Sequence, residues 1–337
     1  MTIPLFSVCI PTYNREKELK RCLDSFVGQA AELNVPIYIS DNNSSDATPY
    51  IIKNYQKLYP GIIFSARTER TVDMDLNMLN ALCMSDAQYA LWLGDDDVLN
   101  PGAVAVILEN LKTKPDLCVL SLPDYPLKKE YNDLGVFFGD YGMIGLGASM
   151  HFSTLVVNVT EAKKVLNPTR YQGTLHLYAG VVLDYLAAKT QTGKVKIKTI
   201  PGLINLSRDK KRWLSKKGLI FLDCIPQWIS LLPPFYGQNP VSKARIEEFY
   251  KQVYDPTRFI QLLNLRETPL KRYPLRRILA RQGAPFGGGG EGRFPQSRVA
   301  VFWALCKAKY AFCKLISNFT WGKRKQRLRE KAEKYKV

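Results

Sequence analysis

Histidine is nearly absent. The 337-residue chain has two, His151 and His176, which excludes a metal centre built on several imidazoles. Paired cysteines are missing as well. The seven cysteines, at 9, 22, 83, 118, 224, 306 and 313, are odd in number and form no Cys-x-x-Cys. An odd count without such a pair argues for reduced thiols over a disulfide framework. Cys9, Cys83 and Cys118 lie in apolar runs and read as reduced core thiols of a cytoplasmic protein. The amino terminus lacks a basic leader before an apolar run, so no signal peptide is expected. Val299–Trp321 is long enough to cross a bilayer, but Lys307, Lys309 and Lys314 interrupt it and make that costly. There is no internal repeat.

Charge is plentiful but unevenly spread. The formal net charge is +18. Residues 1–120 carry 10 basic and 15 acidic side chains, whereas residues 121–337 carry 38 and 15. An acidic front and a basic back suggest cation and phosphate chemistry in front and an anionic surface behind.

The front half alternates apolar runs with helical periods. Phe6–Ile10, Pro36–Ser40, Ile62–Phe64, Tyr89–Leu93 and Leu117–Leu122 read as strands. Residues 15–30, 47–59, 73–86 and 102–113 read as helices. This order predicts an α/β fold with a parallel sheet and helices on both faces, which binds ligands at the carboxyl ends of its strands. Those ends carry Pro11-Thr12-Tyr13-Asn14, then Asp41-Asn42-Asn43-Ser44, then Asp95-Asp96-Asp97. Three adjacent carboxylates after a buried strand need a counter-charge. A hard divalent cation arriving with phosphates is one; the alternative is an acidic turn capping the helix near Pro101. Asp46 and Thr48 read as caps of the helix that follows them.

Three segments, Val8-Cys-Ile-Pro-Thr-Tyr-Asn-Arg15, Ile39-Ser-Asp-Asn-Asn-Ser-Ser-Asp-Ala-Thr48 and Leu93-Gly-Asp-Asp-Asp-Val-Leu-Asn-Pro101, together resemble glycosyltransferase family 2, in order and in spacing. Within that family the chain is most similar to bacterial transferases of O-antigen and capsule synthesis, such as abequosyltransferases. The resemblance covers about residues 5–120 and implies the GT-A fold, a Rossmann-like nucleotide-binding sheet, here with an α-rich carboxyl-terminal region. It also implies a nucleotide-sugar donor, best read as a UDP-sugar, and Mg2+ or Mn2+ as cofactor. Pro11, Thr12, Tyr13 and Asn14 would contact the nucleoside. Asp41 would accept the uracil imino N–H, and Asn43 would contact the nucleotide. Arg67, after the third strand, either reaches the nucleotide as well or is a solvated surface arginine. Asp95 would serve the ribose and the metal, Asp96 the metal, and Asp97 the metal or the groups behind it. Gly94 stands where the family's commoner pattern has its first aspartate.

An inverting displacement needs a base for the acceptor hydroxyl. The family's usual Glu-Asp pair is absent. Asp184, alone in an apolar run, lies at about the right separation from the triplet, and His176 competes with it; Asp133 and Asp140 are weaker candidates. The basic segment Ser207–Lys217, with Arg212 and Trp213, would close on the diphosphate. Residues 1–122 form the nucleotide-sugar half and 123–215 the acceptor-side half. A helical extension (216–282), a glycine-rich linker (283–297) and an amphipathic basic tail (298–337) follow. The tail would lie in the anionic inner face of the cell membrane, its lysines snorkelling. The acceptor would then be a lipid-linked sugar or a polysaccharide. A homo-oligomer is left open. Two rivals stand. A nucleotidyltransferase of the same fold would carry glycines after the first strand, which Pro11–Arg15 lacks. A basic nucleic-acid- or membrane-binding protein without catalysis would leave the aspartates unexplained, and nucleic acid is not expected as a partner.

Overall fold

The computed structural model of the chain describes residues 3–121, 128–142, 152–167, 169–207 and 224–253. The chain divides into two compact units, Met1–Arg208 with Leu231–Lys243 and Asp209–Ser230 with Ala244–Val337. The first unit holds the sheet. Its elements run β1 (Phe6–Thr12), α1 (Glu16–Glu32), β2 (Ile37–Asp41), α2 (Thr48–Leu58), β3 (Ile63–Arg67), α3 (Met74–Cys83), β4 (Tyr89–Trp92), β5 (Val98–Leu99) and α4 (Ala103–Leu111). They continue with β6 (Leu117–Ser121), β7 (Glu130–Tyr131), α5 (Leu134–Phe137), β8 (Leu155–Asn158), α6 (Val159–Val165), α7 (Leu177–Thr190), β9 (Ile197–Pro201) and β10 (Ile204–Asn205). In the second unit the helix Ile225–Ser230 buries Ile225, Trp228 and Ile229.

The eight-stranded sheet has the order β3-β2-β1-β4-β8-β6-β9-β7. The expected parallel pairing holds for β3, β2, β1 and β4 and again for β6 with β9. It fails at β8, which is antiparallel to both β4 and β6, and at β7, antiparallel to β9. Periodicity reports which face of a strand is buried and not the direction of a partner far away in sequence. β5 and β10 form a separate antiparallel ribbon, too short for any periodic signal.

The core follows the apolar pattern. Phe6 to Ile10 of β1 are all buried, as expected of a strand covered on both faces. On α1, Leu19, Cys22, Leu23, Phe26, Val27 and Ala30 form the buried stripe. Cys9, Cys22, Cys118 and Cys224 are buried free thiols, but Cys83, at the carboxyl end of α3, is exposed; the apolar run around it ends with the helix.

α7 is apolar almost all round, and Leu177–Leu183 and Tyr185–Ala187 are buried. A Cβ on Gly180 would stand 2.4 Å from the Tyr171 ring. Overpacking of this kind costs about 1–3 kcal/mol, while the better helix propensity of alanine returns about 1 kcal/mol. Gly180→Ala should therefore lower the urea midpoint. An unchanged midpoint would mean that the ring has room to move.

Candidate active site

The aspartate turn leaves β4 through Leu93, which is fully buried. The Asp97 N–H donates to the Gly94 carbonyl at 3.1 Å and closes the turn. The turn sends the three carboxylates to different partners. Asp95, 9% exposed, accepts from Thr12 Oγ1 at 2.7 Å and faces Arg15 Nε at 4.0 Å. Burial pushes its carboxyl up to about 7, against the lowering effect of Thr12 and Arg15. Asp96 is 3.5 Å from Arg15 Nη1, and its carbonyl accepts from Arg21. Asp97 is turned inward. One oxygen accepts from Ser153 Oγ and the other from the Ser207 N–H at 2.7 Å. The glycine before the triplet has a steric reason: a Cβ at Gly94 would stand 2.7 Å from Asp97 Oδ2 and 3.2 Å from Ser153 Oγ, in a spot where Asp97 is pinned from both sides.

The other two loops are clamped to each other. Asn14 has φ +52° and Asn43 φ +58°, left-handed conformations that asparagine tolerates. The Asn14 N–H donates to Ser44 Oγ, and Asn14 Oδ1 accepts from the Ser45 N–H. Thr48 Oγ1 accepts from the Arg15 N–H, and Asp46 Oδ2 from the Glu16 N–H. Thr48 thus caps α1 rather than α2, while Asp46 serves both helices, since its other oxygen accepts from the Thr48 N–H. A cap from another loop leaves no local signature in sequence.

Asp41, 2% exposed, ends β2. Its Oδ1 accepts from the Ser44 N–H at 3.0 Å. Its Oδ2 is buried without a hydrogen-bond partner, and Arg67 Nε lies 3.6 Å from it. The Arg67 guanidinium is held by Asn43 Oδ1 and the Ser44 carbonyl. Pro11, still within β1, is paired with Ser40, and Tyr13 is exposed on the rim. A buried acceptor with one empty lone-pair direction is costly unless a donor arrives.

α3 carries the acceptor-side segment toward this edge. Asn77 Nδ2 donates to the Thr12 and Ser40 carbonyls. Asp73 caps α3 and accepts from Gln172 Nε2 at 3.0 Å. Asp75, wholly buried, accepts from the N–H groups of Leu175 at 2.8 Å and Leu177 at 3.3 Å. Between them stands His176, the residue before α7. Its Nδ1 lies 2.8 Å from the Thr174 carbonyl, which can only accept, so Nδ1 carries the ring hydrogen. Burial holds the imidazole below its usual value, opposed by that backbone hydrogen bond. The Phe152, Tyr178 and His176 rings follow one another at 5.6 and 6.2 Å, linking His176 to the neighbourhood of Ser153 and the aspartate turn.

Asp184 lies eight residues further on, about 12 Å along the helix at about 1.5 Å per residue. It accepts from Tyr171 Oη at 2.7 Å and faces Arg170 Nη1 at 3.6 Å. Arg170 and Tyr171 both donate to the Leu231 carbonyl. Burial raises the Asp184 carboxyl, against the lowering by Tyr171 and Arg170. Asp133 caps α5, and Asp140 faces Lys128. Arg212, Trp213, the linker 283–297 and the tail 298–337 lie outside the described residues. Sequence reasoning missed Arg15 as the cation beside the triplet, Ser153 and Ser207 as the partners of Asp97, and Asp75. A signal existed for Asp75: it is a charge flanked by Met74 and Leu76 in an apolar helix.

The family model for Glycosyl transferase family 2 matches residues 7–144. An abequosyltransferase of Salmonella typhimurium is 32% identical over 114 residues, 34% of each chain. A GalNAc(5)-diNAcBac-PP-undecaprenol beta-1,3-glucosyltransferase of Campylobacter jejuni is 30% identical over 107 residues, 32% of this chain and 34% of that one. The chain thus spans about a third of the length of these curated relatives. A solved mannosyltransferase of Pyrobaculum calidifontis, in complex with GDP-Man and Mn2+, is similar over 99% of this chain and 86% of its own, with a TM-score of 0.51 and 12% identity. That likeness speaks for the fold alone. The matched span holds the Thr12 loop, the Asp41 loop and the aspartate turn on one sheet edge, and residues 7–144 are a glycosyltransferase family 2 domain with the GT-A fold.

Proposed function

We propose that the chain transfers a sugar from a nucleoside diphosphate donor, UDP-linked in the first instance, to a lipid-linked or polysaccharide acceptor, with inversion at the anomeric carbon. The observation that carries this reading is the convergence on one sheet edge of a buried Asp41 oxygen, which faces Arg67 but accepts no hydrogen bond, with Asp95 and Asp96 beside Arg15. Asp41 Oδ2 would accept the imino N–H of the base, with Arg67 alongside. The donor set suits Mg2+ or Mn2+. Among the described residues no group of three or more His, Cys, Asp and Glu is arranged to hold a metal ion. Mg2+ is commonly held by one or two carboxylates plus substrate phosphates, and Asp95 and Asp96 supply two. The cation would neutralise the diphosphate as it leaves. Thr12 and Arg15 orient Asp95. Asp97, committed to Ser153 and Ser207, shapes the turn.

We assign the base to His176, whose lone pair is on Nε2 when Nδ1 bonds Thr174, and which burial keeps neutral near pH 7. Asp184 then holds Arg170 and Tyr171 in place. The Campylobacter jejuni relative is named for an undecaprenol-linked substrate, which supports a lipid-linked acceptor and a peripheral place on the inner membrane face. Among the described residues no helix is long and apolar enough to cross a membrane. We assign membrane contact to the tail 298–337 on its sequence, an apolar stretch interrupted by lysines and followed by basic residues.

A hydrolysis panel of nucleotide sugars with Mg2+, Mn2+ or EDTA tests the reading. Slow release of UDP from a UDP-sugar, dependent on the cation, is the expected result. A chain that leaves every sugar nucleotide intact, or that instead joins a nucleoside triphosphate to a sugar phosphate with release of pyrophosphate, would overturn it.

A further inference from the structure

Asp75 has no place in the assignments above, yet it is the most deeply buried carboxylate near the site, with no exposed surface. Its two oxygens receive the backbone N–H groups of Leu175 and Leu177, one on each side of His176. Leu175 has φ +60°, a left-handed conformation that a leucine keeps only when its surroundings impose it. The chemistry of residue 75 is narrowly prescribed. The Leu175 N–H reaches one oxygen and the Leu177 N–H the other, so both atoms must accept. An asparagine would offer one acceptor and turn its NH2 against the second N–H. The carboxylate is retained although burial opposes its charge and raises it to about 6, against the N–H groups of Leu175, Leu177 and Gly173.

α3 is also the element that grips the nucleoside side. Two residues after Asp75, Asn77 binds the Thr12 and Ser40 carbonyls and accepts from Ser40 Oγ at 2.8 Å. One turn of helix therefore holds the donor loops and the backbone on either side of His176. The geometry points to Asp75 as the positioning residue that sets the His176 imidazole against the donor site, through the Leu175 and Leu177 N–H groups. This inference rests on the assignment of His176 as the base.

The chain has two histidines, so the imidazole proton spectrum of the full-length protein has two sets of signals, and His176→Ala identifies one of them. In Asp75→Asn the His176 signals should shift. With the UDP-sugar that the hydrolysis panel identifies, kcat should fall about 100-fold, the scale of a misplacement of order 1 Å, with KM for the donor nearly unchanged. Adding Asp75→Asn to His176→Ala should cost nothing further, because Asp75 acts through His176. Where Asp75→Asn does not fold, Asp75→Glu keeps two acceptor oxygens at a different reach and should move the same His176 signals. Unmoved His176 signals in a folded Asp75 variant, or losses that multiply in the double variant, would overturn the inference. Full activity in His176→Ala would remove the base assignment instead, and the imidazole signals would still report whether Asp75 positions the ring.

Discussion

Asp95→Asn should reduce transfer by about two to three orders of magnitude, the scale reported for losing one preorganised electrostatic group, without unfolding the protein. The amide oxygen can still accept from Thr12 Oγ1, which lies 2.7 Å from the Asp95 carboxylate, so the turn keeps its shape. What disappears is the charge. UDP binding in Mn2+ should fall to the level seen in EDTA. Stability should move the other way. Burial has raised the folded-state value of Asp95 to about 7 from an ordinary 3.8. A group raised on folding contributes its stability below the unfolded value and loses it as pH climbs through the folded one. At pH 8 without a cation, the ionised carboxylate is therefore a burden that Arg15, at 4.0 Å, only partly relieves. The asparagine variant should melt no lower than the wild type in EDTA at pH 8. Calorimetry and thermal melts read both effects. Full turnover in EDTA would sink the cation assignment, and a large fall in melting temperature would mean that Asp95 is structural.

The residues that converge on the sheet edge were legible because each lies just after an apolar strand. The helix-covered parallel arrangement then requires those strand ends to be neighbours. The α1 stripe was legible for the same local reason, since its buried positions repeat at helical spacing. What escaped depends on contacts distant in sequence. β8 inserts between β4 and β6 in the opposite direction, and nothing in Leu155–Asn158 distinguishes an antiparallel strand from a parallel one. The triplet leaves Asp97 open to the metal or to the groups behind it, and only the fold reveals that Ser153 and Ser207 capture it. Thr48 resembles a cap of the helix it begins and instead caps α1. Asp184 drew notice as a lone charge among apolar residues. Its partners Arg170 and Tyr171 precede it by 14 and 13 positions, outside the reach of any helical pattern, and they turn an apparent orphan into a paired group.

His176→Ala and Asp184→Asn separate the two candidate bases because they should fail in different ways. Loss of a positioned general base costs about 10²- to 10⁴-fold, so His176→Ala should lower kcat on that scale while donor affinity and the unfolding midpoint stay near wild type. The pH profile supplies an independent reading. Burial lowers the His176 value from the usual 6.5, so the unfolded chain takes up the proton before the folded one does. The acid limb of kcat, measured at saturating donor and cation, should consequently fall below pH 6.5 in the wild type and be missing from His176→Ala. Stability should decline over the same range, as pH drops below the unfolded value. Asp184→Asn should show the converse pattern. Its side chain can still accept from Tyr171 Oη, but the charge opposite Arg170 is gone, and an arginine that is partly buried loses its partner. The unfolding midpoint should fall, and kcat per folded molecule should change little. An Asp184→Asn protein that is as stable as the wild type and catalytically dead, beside an active His176→Ala, would transfer the base role to Asp184.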